Sequence, residues 1–279
     1  MGSVSFQILS DLHLETQDSY DFDFDASASN LALLGDVGHV ADPRLFEFLD
    51  QKLEVYSTVF FLLGNHEPWH MSFKQAKQKM RIFERNKNLK LKTKRFVFLD
   101  QTRHDVSNTV TVLGCTLFSH ILPHQDFVVE SILVDFKDIA RWTTEAHNDA
   151  HKSDLQWLNT QVTAIARDEP ERRIVIFTHH CPSIDSRCQN PRFAGKAEME
   201  PENDVSSGFA TDLSKEECWT NPAVVGWAYG HTHFNCEWRD SNEKIVVSNQ
   251  RGYKIRLSEN FEPGKRLIIQ TQSSATNPR

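Results

Sequence analysis

Seven residues of metal-ligating type recur along the chain in five short clusters: Asp11-x-His13, Gly35-Asp36, Gly64-Asn65-His66-Glu67, Thr178-His179-His180 and Gly230-His231-Thr232-His233. The seven are Asp11, His13, Asp36, Asn65, His179, His231 and His233. They mix imidazole nitrogen with carboxylate and amide oxygen. That donor set suits Mn²⁺, Fe or Zn²⁺, not the thiolate cages of structural zinc or the all-oxygen shells of Ca²⁺. Two histidines one residue apart on an extended segment point the same way, which suits two ions lying side by side. Each residue alone has a plainer reading. Asp11 or Asp36 caps a helix, Asn65 is a turn residue, and His179 is a hydrogen-bonded core imidazole. The plainer readings do not account for all five clusters together.

The clusters follow apolar runs. Ser5–Ser10, Leu31–Leu34, Thr58–Leu63, Arg173–Phe177 and Ala223–Tyr229 read as strands, and a cluster closes each one. Gly230 reads as the residue that lets the backbone turn sharply after the last of them. Helices are expected over Pro43–Tyr56, with Leu45, Phe46, Leu49 and Leu53 on one face, and over Phe73–Arg85. Strand, helix, strand is the rhythm of a largely parallel sheet, in which sites form beyond the carboxyl ends of the strands. Phe96–Leu99, Thr109–Phe118, Lys244–Ser248 and Tyr253–Leu257 add strands. A further helix begins at Ser153, and a short one covers Phe209–Glu217. Tyr20–Ser29 reads as a loop, and Phe127–Trp142 as a loop with short helical pieces.

With 279 residues, 39% of them hydrophobic, the chain can bury a large core. No Gly/Ser/Pro-rich linker divides it, so one domain is expected over residues 1–272, with the polar 273–279 as a frayed tail. The polar stretch Gly195–Ser207 reads as an internal loop. A net charge of −7 argues against bulk electrostatic binding to nucleic acid or anionic membranes. The basic run Arg81–Arg95 leaves a nucleic-acid end open as a substrate, against the plainer reading of a solvated helix end. The five cysteines, an odd number without a C-x-x-C pair, read as reduced thiols. No signal peptide, sequon or run of about 18 apolar residues is found, so a cytoplasmic protein with no membrane span is expected.

The ordered series D-x-H, G-D, G-N-H-E, H, G-H-x-H resembles the calcineurin-like metallophosphoesterase superfamily from Asp11 to His233. Ser10-Asp11-Leu12-His13-Leu14-Glu15, His179-His180-Cys181-Pro182-Ser183, Phe209-Ala210-Thr211-Asp212-Leu213 and Gln250-Arg251-Gly252-Tyr253 resemble a single-domain branch found in bacteria and fungi. The resemblance implies an α/β fold, a four-layer α/β/β/α sandwich with two central mixed sheets. It implies two divalent metal ions: Asp11, His13 and His233 on the first, Asn65, His179 and His231 on the second, and Asp36 between them. Relatives read H-x-P or H-H-x-P at the fourth cluster, so His179 and His180 both qualify, and His179 is taken as the ligand. Many relatives carry a second acidic residue shortly after G-D; here the segment is Gly35-Asp36-Val37-Gly38-His39. His39 is expected to alter hydrogen bonding around the ligands.

Such a pair of ions, about 3.5–4 Å apart, polarises a bridging water toward hydroxide and clamps the phosphoryl oxygens of an in-line displacement. His66, beside a ligand, is expected to protonate the leaving alkoxide or donate to a phosphoryl oxygen; a loop-orienting role is the alternative. Glu67 is expected to support the ligands. Asn65 and Arg251 are candidates for contacting substrate, Arg251 through a phosphate oxygen or else in a structural salt bridge. Arg187, Arg192 and Lys196 follow His179 closely and are placed at the substrate mouth. The expected function is hydrolysis of a small phosphodiester, a nucleotide or similar. A phosphomonoesterase or protein phosphatase of the same fold is the alternative, and a metal-free scaffold stands outside the enzyme class. Substrate, metal identity and oligomeric state are not legible.

Overall fold

The computed structural model describes residues 2–17, 20–190 and 204–271. Two sheets form its centre. The first has the order β13-β1-β2-β3-β4, built from β1 (Ser3–Leu9), β2 (Asn30–Leu34), β3 (Thr58–Leu62), β4 (Arg95–Phe98) and β13 (Arg266–Gln270). β1 to β4 run parallel and β13 lies antiparallel against β1. The second has the order β5-β6-β7-β8-β10-β9, from β5 (Thr102–Asp105), β6 (Val110–Gly114), β7 (Arg173–Phe177), β8 (Val224–Tyr229), β9 (Cys236–Arg239) and β10 (Ile245–Ser248). Its inner four strands are parallel and its edges antiparallel. β11 (Gly252–Tyr253) and β12 (Arg256–Leu257) make a small hairpin.

Alternation within the strands explains the layers. Phe6, Ile8, Ala32, Leu34, Phe60 and Leu62 turn inward and meet Val110, Val112, Val175, Phe177 and Ala228 of the facing sheet. The intervening Leu31, Leu33, Val59 and Phe61 turn outward and pack against α1 (Pro43–Val55) and α2 (Phe73–Lys90). Outside the second sheet, Leu113, Ile174, Ile176, Trp227 and Val246 pack against α5 (Thr144–Asp168) and α6 (Glu217–Thr220). Both faces of each sheet are thus covered, which is why the strands read as unbroken apolar runs. The result is the expected α/β/β/α sandwich with two mixed sheets.

Helix starts follow local rules. Asp42 accepts from Arg44 N at 2.9 Å with Pro43 at the first turn of α1, and Ser72 with Gln75 forms a capping box on α2. α5 begins at Thr144, not at Ser153. Its first turns bury His147 and His151 in place of aliphatic side chains, so no apolar stripe marks them. No helix covers Phe209–Glu217. There the backbone runs beside residues 181–182, with Thr211 N donating to Cys181 O at 3.1 Å and Leu213 N to Pro182 O at 3.2 Å, and α6 starts only at Glu217. The 127–142 segment holds α3 (Asp126–Ile132) and α4 (Asp135–Asp138). β5, β9 and β13 add strands that the sequence pattern does not announce; β5 (TRHD) carries no apolar run at all. Arg192, Lys196, most of the 195–207 stretch and the 273–279 tail lie outside the described residues.

Candidate active site

All five clusters emerge at the carboxyl ends of β1, β2, β3, β7 and β8 and converge across the facing sheets. The convergence depends on unusual backbone. Asp11, His13, Asp36, His231 and His233 all have left-handed φ, between 47° and 72°. These conformations cost an ordinary residue roughly 1–2 kcal/mol each, and Asp and His tolerate them better than branched residues. His231 and His233 are therefore not on an extended segment with parallel side chains. The left-handed turns send them to different neighbours, His231 toward Asp36 and His179, His233 toward Asp11 and His13. Gly230 has no positive φ; glycine is required there by proximity, since a Cβ would run into Ser10 Oγ and lie 2.6 Å from Asp11 Oδ2. Gly64 is held likewise against Asp36, its Cβ position also 2.6 Å from His179 Cε1.

In the first group His233 Nε2 lies 3.3 Å from Asp11 Oδ1 and 3.0 Å from His13 Nε2. In the second, His179 Nε2 lies 3.5 Å from Asp36 Oδ2 and 3.0 Å from Asn65 Oδ1. Asp36 Oδ2 also stands 4.0 Å from His13 Nε2, so one carboxylate faces both groups. His180 is buried beside His231, ring centroids 4.1 Å apart; His179, not His180, joins the Asp36 group.

Hydrogen bonds fix which nitrogen of each ring is available. A carbonyl only accepts, so His179 Nδ1 donates to Leu34 O at 2.8 Å, and Nε2 is the nitrogen turned toward Asp36 and Asn65. His231 Nε2 donates to Gly208 O at 3.3 Å, leaving the lone pair on Nδ1. His13 Nδ1 donates to Glu15 Oε1 at 3.0 Å, leaving Nε2 toward His233. The amide of Asn65 is oriented the same way: Nδ2 donates to Asp135 Oδ1 at 2.9 Å, which turns Oδ1 toward His179.

Burial works to raise the Asp36 carboxyl, but the imidazoles of His179, His66 and His13 overcome it and hold it well below the usual carboxylate range. For His179, burial alone would lower the pKa; Asp36 reverses this and raises it to about 10. His231 is pushed down to about 3, by burial and then by His179. The protein's own groups thus concentrate a demand for positive charge around Asp36. Buried carboxylates with converging nitrogen lone pairs and an oriented amide oxygen fit two divalent ions with nitrogen and oxygen ligands. No cysteine belongs to any such cluster among the described residues.

Around this centre Glu15 and Asp135 take parts that the sequence left unread. Glu15 Oε1 accepts from both His13 Nδ1 and His66 Nδ1, each at 3.0 Å, and burial fails to keep its carboxyl from falling to about 2 under those two partners. Asp135, on α4, also accepts from Trp69 Nε1 at 3.2 Å. Glu67 accepts from three backbone amides, Asp36 N at 2.9 Å, Val37 N at 2.7 Å and Gly64 N at 2.7 Å, tying the second cluster to the third. His39 does not touch a ligand residue by hydrogen bond; its Nε2 is buried without a partner, as is Glu15 Oε2. The motif S-D-L-H-L-E was the only trace of Glu15 in the sequence, and nothing near Asp135 marked it.

A cleft of about 660 Å³ opens over the centre, lined at its floor by Asp36, Asn65, His66, His231 and His233. His66 Nε2 lies 3.9 Å from Asp36 Oδ2 and 3.2 Å from the Tyr253 hydroxyl. Burial would lower His66, yet Asp36 and Glu15 raise it to about 9. Arg251 does not line the cleft. Its guanidinium packs 4.4 Å over the Phe22 ring and donates to Leu12 O at 3.3 Å. Arg187 pairs with Asp185 at 2.6 Å and stacks on Trp238, also away from this cleft.

A family model described as calcineurin-like phosphoesterase matches residues 5–235. The chain belongs to the calcineurin-like phosphoesterases. The family acts with divalent metal ions, and the matched span contains both ligand groups. Among curated proteins, the chain is similar to the uncharacterised protein L509 of Acanthamoeba polyphaga mimivirus, 26% identical over 272 residues, covering 91% of this chain and 93% of that one. Among solved structures it is similar in fold to the phosphopantetheinyl hydrolase PptH of Mycobacterium tuberculosis, with a TM-score of 0.62, 14% identity and 90% of each chain covered. A dimetal phosphatase of Danio rerio aligns with a TM-score of 0.47 at 13% identity, over 88% of this chain and 87% of that one. Membership makes this calcineurin-like phosphoesterase a metal-dependent hydrolase of phosphoric esters. No helix among its described residues is long and apolar enough to cross a membrane.

Proposed function

We propose that the protein is a dinuclear metal-dependent phosphodiesterase acting on a small diester. Asp11, His13 and His233 would hold one ion and Asn65, His179 and His231 the other, with the Asp36 carboxylate facing both groups. Bound there, the ions supply Lewis acidity at the phosphoryl oxygens and lower the pKa of a water for in-line displacement. The chain itself orients the ligands through Glu15, Asp135 and the Leu34 and Gly208 carbonyls, and holds a proton at His66. One observation carries the diester reading: His66 Nδ1 is committed to Glu15, while Nε2 faces the cleft beside Asp36. A proton on Nε2 can pass to a departing alkoxide, the poor leaving group of natural diesters. The unpaired cysteines support a reducing compartment, the cytoplasm.

The test is turnover by Mn²⁺-reconstituted protein on bis(4-nitrophenyl) phosphate and 4-nitrophenyl phosphate side by side, with metal counted by mass spectrometry. Two ions per chain and diester preference are expected. Two ions with monoester preference would make it a phosphomonoesterase instead, and a folded sample with neither metal nor turnover would point to a scaffold. His66→Ala should keep both ions and lose more activity on alkyl leaving groups, by about 10²-fold, than on nitrophenolate. Equal losses would remove His66 from the acid role.

A further inference from the structure

The cleft has walls of a different character from its floor. One wall is the segment between α3 and α4, with Ile132, Leu133 and Val134; the other includes β12, with Leu257. Ile132 is 50% exposed, Val134 46% and Leu257 60%. Single exposed aliphatic residues are ordinary on a protein surface, and Val55 and Leu89 near the ends of α1 and α2 are of that kind. Here three line one cleft, and Phe127 of α3 and Ile255 of the β11–β12 turn, at 84% and 97% exposure, lie nearby in the chain without lining it. Trp69, stacked on His66 with centroids 3.9 Å apart, and Phe209, stacked on His231 at 4.9 Å, continue the apolar lining down to the centre. Apolar surface gathered on both lips of a concave site is the mark of a ligand that covers it.

The charges agree. Among the described residues, Arg256 is the one Lys or Arg side chain lining the cleft, while Asp135 and Glu259 add negative charge. The described lining thus offers one such cation to the row of anions that a polyphosphate or a nucleic-acid strand brings. An uncharged arm carries no such demand.

We propose that Ile132, Val134 and Leu257 form an apolar subsite that takes the uncharged hydrocarbon or flat-ring arm of the phosphodiester, with its phosphate at the ion-binding floor. This rests on the diesterase reading, which the test below separates from it. The full-length Mn²⁺-loaded protein is assayed with methyl, butyl, hexyl and phenyl 4-nitrophenyl phosphates, which share one leaving group and differ only in the retained arm. Burying methylenes at these lips should raise kcat/KM by about two- to fourfold each, about thirtyfold or more over the five added from methyl to hexyl, mostly through KM. A phenyl ester that outruns the hexyl ester identifies the arm as a flat ring; the reverse identifies a chain. Ile132→Ser/Leu257→Ser, two surface substitutions, should reduce the hexyl-to-methyl ratio to about threefold or less. Calorimetric binding of methylphosphonate and hexylphosphonate to both proteins reads the same preference without turnover. A flat series in turnover and in binding overturns the subsite even if every ester is hydrolysed. Hexyl-selective binding that the double variant abolishes, without hydrolysis of any ester, keeps the subsite and overturns the diesterase.

Discussion

The two halves of the candidate metal centre offer the same kinds of ligand and differ in how these are supported. The second half is anchored to backbone: His179 on Leu34 O, His231 on Gly208 O, both residues buried, and Asn65 held by the buried Asp135. The first half is anchored to a side chain, Glu15, and its His233 side chain is 27% exposed. Leu34 O closes a strand of the first sheet, whereas Gly208 O and Glu15 both sit on short 3-10 turns, Ser206–Gly208 and Leu14–Thr16. With both its histidines buried, the second half is expected to be the better pre-formed. The first is tied instead to chemistry, because the oxygen that orients His13 also orients His66.

The largest effect should come from breaking what the halves share. Asp36→Ala removes the carboxylate facing both groups, and kcat/KM should fall on the order of 10³-fold or more, with fewer than two ions per chain by mass spectrometry. Retained dinuclear occupancy would show that the halves do not depend on Asp36. Next, dialysis against a chelator should remove the ions in two phases, the first half emptying at least about tenfold faster than the second. His233→Ala should erase the fast phase alone. A single phase in the unaltered protein would mean that the difference in anchoring has no energetic consequence.

Smaller effects separate the supports. Glu15→Gln should weaken the first ion about 10–100-fold and, through His66, slow alkyl leaving groups more than nitrophenolate. Asp135→Asn should weaken the second ion by a similar or smaller factor and leave the leaving-group dependence untouched. If the two variants behave alike in a leaving-group series, Glu15 does not link metal to proton donor. The smallest change is a control outside the centre: Asp42→Ala, the α1 cap, should cost about 1 kcal/mol of stability in thermal unfolding and move neither ion.

The same contrast explains what the sequence made legible. The ligand residues stand out because parallel strands buried on both faces give continuous apolar runs, and each run ends in chemistry. That rhythm indicates a largely parallel sheet, while the four layers were implied only by the family resemblance. Of the supports, Glu67 was legible beside Asn65, whereas others belong to parts of the chain that carry no such signal. The Leu34 and Gly208 carbonyls are backbone and carry no side-chain signature. Asp135 lies 70 residues from Asn65, on a helix of four residues. β13 joins the first sheet beside β1 from the far end of the chain, a pairing that local pattern cannot indicate. Arg251 drew attention by its charge and its Gln250-Arg251-Gly252-Tyr253 stretch, and its side chain lies against Phe22 and Leu12, which no spacing connects to it.

The left-handed backbone at Asp11, His13, Asp36, His231 and His233 bears on how such a protein can change over evolutionary time. Each position would be easier to hold as glycine, by up to about 1 kcal/mol. Drift away from activity would thus relax the fold at the residues it discards. A lineage released from selection for hydrolysis could shed the ligands one by one and emerge as a sturdier, inert binder, with its sandwich unchanged and its apolar lips still in place.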